Sequence, residues 1–328
     1  MEEENIIKKY YFDPKFKVAF GSYRNIYALI KKNHPQFKKN VIDSVLKKIL
    51  NYQLHKKIPP IKFRRKILAE KISYLWQADL IDLSNVSKKK KIKTFKYRYI
   101  LVVIDVFSKF AWIEPIRSKS GENTTKAFIS IIKRAIKDSV HDIPLNLHTD
   151  LGKEFFNYHF KNEISKLKIN HYFTSGLHKA AVCERFIRTF MNRFTKMYSN
   201  DKKKINSVRN YRLFLQTIVN LYNSTKSRTH GLAPNNVKKK HTNMIWSRLY
   251  GKYFENTPRL IKFIPGDIVL VAKRKSIFEK GYSASYLKSK YIIHDVILNT
   301  YPITYRLRDS EGSISENTFY AEDLQKTK

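Results

Sequence analysis

The chain has 328 residues, with 65 Lys and Arg against 27 Asp and Glu, a net charge of +38, and 42% hydrophobic and 14% aromatic content. That length suits two or three domains, each burying its own core, and the apolar content excludes a disordered chain. One cysteine, Cys183, excludes a disulfide framework and any zinc site that needs two or more thiolates. The longest apolar run, Tyr99 to Phe107, is interrupted by Asp105, and the opening MEEENIIKKYYF lacks the pattern of a signal peptide. A soluble, intracellular protein is therefore expected.

Lys and Arg outnumber Asp and Glu 17 to 6 in residues 1–70, 31 to 12 in 71–230 and 17 to 9 in 231–328. Every third is positive, so the charge does not belong to a tail. A field of this kind favours a polyanion, and nucleic acid is the commonest large one. AT-rich coding, which also favours Lys, Ile and Asn, offers a blander source for part of the bias: Lys outnumbers Arg 48 to 17.

Residues 1–55 place Ile26, Tyr27, Leu29 and Ile30, then Val41, Ile42, Val45, Leu46, Ile49 and Leu50, at helical spacing, with a break at His34-Pro35. This predicts a helix-turn-helix-like module or a helical cap on the next domain. Residues 56–71, with Pro59-Pro60, Lys62, Arg64, Arg65 and Lys66, read as a basic linker suited to lie along phosphates. Strands are predicted over Tyr74–Leu83, Tyr97–Val106 and Phe110–Pro115, with a Lys88–Lys91 turn between the first two. A helix over Gly121–Lys137, with Ala127, Phe128, Ile131, Ile132 and Ala135 on one side, follows. A strand over Pro144–Thr149 then delivers Asp150, a helix covers Glu154–Leu167, and Ile169–Phe173 is a fifth strand. The class is α/β, a mixed five-stranded sheet with helices on its faces, occupying residues 72–230. Residues 231–259 read as a connector. PGDIVLVAK, KYIIHDVIL, ITYRLRD and SISENTFY, within 260–328, are four short alternating runs that predict a small β-barrel of chromo- or Tudor-like type.

Acids at the ends of apolar strands are the first candidates for chemistry in so basic a chain. Asp79 lies in YLWQADLIDL, where an ionised carboxylate is costly unless something positive compensates it. Asp150 poses the same problem at a position that a sheet would bring beside Asp79. Two adjacent carboxylates repel, and a divalent cation resolves the conflict, since Mg²⁺ takes one or two carboxylates with waters and phosphate oxygens. A third acid is expected from the helix AVCERFIRTFMNRFTKMY, where Val182, Phe186, Phe190, Phe194 and Met197 form the apolar stripe. Glu184 lies on its polar side with Arg185 and Arg188, an arrangement that equally describes a Glu184–Arg188 surface pair. Asp82, Asp105 and Glu154 compete for the same roles. Asp105 is expected to organise the turn at Phe107–Lys109, and His148 to support Asp150.

WQADL, HTDLGKEF and KAAVCERFIRTF resemble, in order and context, the D, D, E signature of retroviral-integrase-like DDE recombinases. Asp150 and Glu184 are separated by 33 residues, slightly short of the commonest family interval, which the Thr174–Ala180 loop absorbs. RYILVVIDVFSKFAWIEPIRSKSG, YNSTKSRTHGLAP, FIPGDIVLVAKRKSIFEKGY, ITYRLRD and FYAEDL are more narrowly similar to integrases of Polinton/Maverick transposons and related virophages. The likeness covers roughly residues 70–328 and extends more loosely over 1–60.

The resemblance implies a ribonuclease-H-like core in which Asp79, Asp150 and Glu184 are catalytic and bind two Mg²⁺ or Mn²⁺ ions. It implies 3′-end processing followed by strand transfer into target DNA, by a homo-multimer on double-stranded DNA, with no membrane and no small-molecule substrate. A nuclease of the same fold that cleaves branched or hybrid nucleic acid without joining is the alternative, and a non-catalytic DNA-binding derivative a third reading. Expected DNA contacts are His178, Lys179, Arg185 and Arg188, with Lys62, Arg64 and Arg65 from the linker. Lys202–Lys204 and Lys238–Lys240 are expected to add unspecific affinity, and Lys273, Arg274 and Lys275 to bind DNA or support assembly. No cysteine precedes Cys183, so His34 and His55 are not expected to hold zinc. The implied location is the nucleus or a viral factory.

Overall fold

The computed structural model describes residues 2–84, 96–173, 180–201, 205, 207–257, 259–273 and 283–327. Two compact units result: Met1–Lys66 with Asn256–Lys328, and Ile67–Glu255. The Lys88–Lys91 turn, His178, Lys179, Lys202–Lys204, Arg274 and Lys275 lie outside the described residues.

The first unit opens with helices α1 (Glu2–Phe12), α2 (Tyr23–Asn33), α3 (Lys39–Leu46) and α4 (Leu50–Leu54). Ile7, Ile26, Ile30, Ile42 and Leu46, all fully buried, form their core. The Ser22 hydroxyl accepts from the Asn25 amide and starts α2. His34-Pro35 ends it, as expected from a proline that cannot continue a helix.

The second unit holds β1 (Leu75–Asp82), β2 (Tyr99–Asp105), β3 (Ala111–Ile116), α5 (Gly121–Lys137), β4 (Asn146–Thr149), α6 (Tyr158–Lys166), β5 (Asn170–Phe173), α7 (Ala181–Asp201) and α8 (Val208–Ser224). Its sheet runs β3-β2-β1-β4-β5. The β3-β2-β1 ladders are antiparallel, whereas β1 pairs with β4, and β4 with β5, in parallel. This is the mixed sheet that the alternation of strands and helices predicts, in the ribonuclease-H-like arrangement that the resemblance implies.

Period-two alternation assigns the two faces. Leu101 and Val103 of β2 join Trp76 and Ala78 under Phe128 and Ile131 of α5 and Phe160 and Ile164 of α6. Ile100, Val102 and Ile104 turn the other way, against Phe186, Phe190 and Phe194 of α7 and Phe214 and Ile218 of α8. The central strands are therefore apolar on both sides, and a charge on either face stands out. Helix α5 has the predicted bounds. Helix α6 starts at Tyr158 rather than Glu154, because the Asn157 side chain accepts from the Phe160 amide at 3.0 Å and fixes the cap there. Val237 and Ile245, from the segment read as a connector, pack with Ala69, Ile72, Leu75, Val106 and Phe107, so that segment contributes to the core of this unit.

The first unit closes with an antiparallel sheet, β10-β6-β7-β8-β9, made of β6 (Ile268–Ala272), β7 (Tyr286–Ile297), β8 (Thr304–Arg308), β9 (Ile314–Tyr320) and β10 (Leu324–Lys326). Four strands correspond to the four predicted runs, and β10, three residues long, is additional. Leu54 and Ile58 pack on Leu270, Ala272 and Tyr286. The Ser285 amide donates to the Leu54 carbonyl at 2.7 Å, and the Arg65 amide to the Tyr320 hydroxyl at 2.9 Å. The basic segment between the helices and the core thus runs along this sheet.

Candidate active site

Asp79 sits near the end of β1, on the face turned to α7. Gln77, Asp79 and Ile81 share that face, and Ile81 belongs to the same apolar cluster as Cys183 and Phe186 of α7. Asp82, three residues on, is on the opposite face, exposed, and accepts from the Ser84 amide at 2.7 Å. Period two therefore separates Asp82 from the position of Asp79.

Asp150 reaches the same neighbourhood through the parallel β1–β4 ladder, which pairs Trp76 with Leu147 and Gln77 with His148. Two residues beyond the last of these pairs come Asp79 and Asp150, and the Asp150 charge acts on the Asp79 carboxyl. Glu184 arrives from the first turn of α7, which is oriented by the buried side chains Cys183, Phe186, Phe190 and Phe194 on its other side. Glu184, Arg185 and Arg188 are exposed. Among the described residues Glu184 makes no ion pair with Arg188, so the simple surface pair is not formed.

Burial raises the Asp79 carboxyl to about 6; the Leu80 amide pulls it down, and the negative charges of Asp150, Glu184 and Glu154 push it up. Three other carboxylates therefore act on Asp79 at this end of the sheet. Glu154, a competitor in the sequence, joins the set through the loop after β4, where its carboxyl lies against Gly152, 2.6 Å from the point a Cβ there would occupy. The carboxylates are turned toward backbone amides: Asp79 accepts from Leu80 at 2.7 Å and Asp150 from Gly152 at 3.1 Å. Among the described residues no three His, Cys, Asp or Glu side chains stand in a metal-holding group. Hard oxygen donors in mutual repulsion nevertheless fit a hard divalent cation, which removes the cost that raises Asp79.

The sequence reading missed Gln77. Its Oε1 accepts from the Val182 and Cys183 amides at 3.0 and 3.1 Å, and its Nε2 lies 3.1 Å from His148 Nδ1. A polar side chain two residues before Asp79, on an otherwise apolar face, was the available signal. Burial holds His148 below the usual histidine range against the opposing pull of Asp150, and its ring stacks on Tyr172. His148 thus supports the strand end that delivers Asp150.

Asp105 is fully buried and has another task. It accepts from the Ser73 amide (2.7 Å), Trp76 Nε1 (3.1 Å), the Ser108 amide (2.6 Å) and the Ser108 hydroxyl (2.8 Å). His141 Nε2 lies 3.3 Å from Ser108 Oγ, and Asp138 Oδ2 3.0 Å from His141 Nδ1. The sequence of Ser, His and Asp imitates a nucleophile relay, but Ser108 and His141 are buried and the hydroxyl proton is already donated to Asp105. This cluster ties the β2–β3 turn to the start of β1.

The remaining predicted contacts divide between the units. Lys62, Arg64 and Arg65 are exposed on the first unit, Arg185 and Arg188 on the second.

A mixed sheet with carboxylates at the ends of two parallel-paired strands and on the adjoining helix has the ribonuclease-H-like fold. Residues 69–177 match the integrase core domain family. Over 197 residues the chain is 28% identical to a transposon-derived protein of Caenorhabditis elegans, a match covering 59% of this chain and 62% of that protein. The chain thus spans less than two thirds of that relative's length. A chain of the simian T-cell lymphotropic virus intasome is 14% identical, with a TM-score of 0.57 over 91% of this chain and 97% of the viral one, which shows the common fold. The HTLV-2 integrase catalytic core, solved with magnesium, is 18% identical over 50% of this chain and 95% of its own, at a TM-score of 0.39.

Proposed function

We propose that the chain is a DNA integrase that trims the 3′ ends of a DNA element and joins them to target DNA. The observation that carries this reading is the convergence of Asp79 near the end of β1, Asp150 just after the parallel-paired β4 and Glu184 in the first turn of α7 at one end of the sheet. Asp79, Asp150 and Glu184 would hold two Mg²⁺ or Mn²⁺ ions, which when bound supply Lewis-acid activation of the phosphodiester and of the attacking oxygen. The protein's own part is positional. In this reading β1 and β4 would bring the two aspartates side by side, α7 would present Glu184, and Arg185 and Arg188, one and four residues on, would meet phosphate oxygens. Lys62, Arg64, Arg65, His178 and Lys179 are proposed as further DNA contacts.

Double-stranded DNA is the proposed substrate and partner, in the nucleus or a viral factory, with several copies of the chain holding paired ends. The viral relative is described as an intasome, and the worm relative as transposon-derived. With the motif run from RYILVVIDVFSKF to FYAEDL, these favour an integrase of Polinton/Maverick or virophage type.

A strand-transfer assay with terminal oligonucleotides and Mn²⁺ tests the proposal. Joined product is expected from the wild type and a loss of more than about 100-fold from Asp150→Asn, beyond the usual cost of an outer-shell change. Cleavage without joining, across several end sequences, would instead favour a nuclease.

A further inference from the structure

We propose that Gln77 is the positioning residue that sets the spacing of the three carboxylate-bearing elements. The inference rests on the reading of Asp79, Asp150 and Glu184 as the metal-binding acids.

Gln77 is fully buried, and a buried primary amide must find partners for its carbonyl and its NH₂ group. The orientation of this amide is not arbitrary. The Val182 and Cys183 amides can only donate, so the atom facing them is Oε1; Nε2 therefore faces His148 and donates to its Nδ1. That places the neutral His148 proton on Nε2.

Each arm of the side chain ends next to one acid. Gln77 precedes Asp79 by two residues on the same face of β1. His148, on β4, precedes by two residues Asp150, which follows the strand's last residue. Val182 and Cys183 precede Glu184 by two and one in the first turn of α7. One rigid amide thus joins the three elements at the level where their carboxylates emerge.

The helix arm has a separate cause. The Glu184 amide donates to the Ala180 carbonyl at 2.9 Å, which makes Ala180 the first capping position of α7, and alanine has no side chain to satisfy the open amides there. Gln77, more than 100 residues away in the chain, performs that service. The apolar face of α7 already orients the helix, and a cap supplied from β1 adds a direct polar tie between the helix end and that strand which a local cap would lack.

The test uses the full-length protein and two variants, Gln77→Met, which keeps the volume without the hydrogen bonds, and Gln77→Asn, which keeps an amide one methylene short. Mn²⁺ affinity is read by calorimetry, alongside the unfolding temperature and the kcat and KM of strand transfer. Both variants are expected to bind Mn²⁺ about 10- to 100-fold more weakly and to lose kcat by a similar factor, with KM for DNA unchanged. Adding Ala180→Ser to Gln77→Met restores a local cap; unfolding temperature should recover and Mn²⁺ affinity should not. A folded Gln77 variant with Mn²⁺ affinity within twofold of wild type, or affinity restored by Ala180→Ser, overturns the inference. Wild-type Mn²⁺ binding that survives Asp150→Asn overturns the acid reading and the role of Gln77 with it.

Discussion

At the scale of single residues, the informative quantity is the cost of a charge. Asp79 rises from 3.8 to about 6 because burial and three neighbouring acids oppose its ionisation. Its folded value lies above its unfolded value, so the folded state holds the proton more tightly, and stability falls as pH climbs from about 4 to 6. Above 6 the full penalty, roughly 3 kcal/mol from a shift of about two units, is in place. Asp79→Asn removes it. The metal-free variant should be more stable than wild type at pH 7.5 by up to about 3 kcal/mol, and equal to it below pH 4, by denaturant midpoint. Saturating Mn²⁺ should stabilise only the wild type and reverse the order. A metal-free wild type more stable than Asp79→Asn at pH 7.5 would contradict the buried-charge account. The same reasoning from charge singles out Asp79 and Asp150 in the sequence, since Asp79 interrupts an apolar strand and Asp150 follows the end of another. It does not find Gln77, whose neutral amide carries no conspicuous charge and whose partners are brought together only by folding.

At the scale of elements, legibility follows the length of the periodic signal. Helix α5, 17 residues with a clear apolar stripe and Ser120 accepting from Asn123, has the bounds its pattern predicts. Helix α6 is shorter than its apolar pattern, because Phe155 is buried from a turn rather than from the helix, and Asn157 sets the start. Strand β10 spans three residues, too few for alternation to register. If the cap defines α6, Asn157→Ala should cost about 1 kcal/mol in urea unfolding, and Asn157→Ser should recover most of it. Equal losses for both would show that Asn157 acts through its contacts with the Lys153 and Glu154 carbonyls instead. Helix α7 shows the limit of local reading: its apolar face is plain in the sequence, but its cap is not, because that cap comes from β1.

At the scale of the molecule, charge and connectivity give opposite lessons. That Met1–Lys66 and Asn256–Lys328 form one unit depends on contacts such as Leu54 with Tyr286, more than 200 positions apart, for which one sequence has no local signature. Net charge, in contrast, needs no fold. The 27 acids offset only 27 of the 65 Lys and Arg, and several are engaged in short-range pairs such as Lys8–Glu4 and Lys126–Glu122. Exposed pairs of this kind contribute little stability and release their cations readily to phosphate. Binding to DNA should therefore be driven by counterion release. If six to ten phosphates are neutralised, affinity for a duplex should fall about 10³- to 10⁵-fold between 50 and 200 mM salt, linearly on a logarithmic plot. Removing Lys62, Arg64 and Arg65 together should lower the slope by about three and weaken all sequences alike, because phosphate contacts position the protein without reading bases. A slope near zero in fluorescence anisotropy would exclude a phosphate-dominated interface. A slope unchanged by the triple substitution would move the contact surface away from the segment that runs along the C-terminal sheet, leaving the exposed side of α7, with Arg185 and Arg188, as the principal phosphate-binding surface.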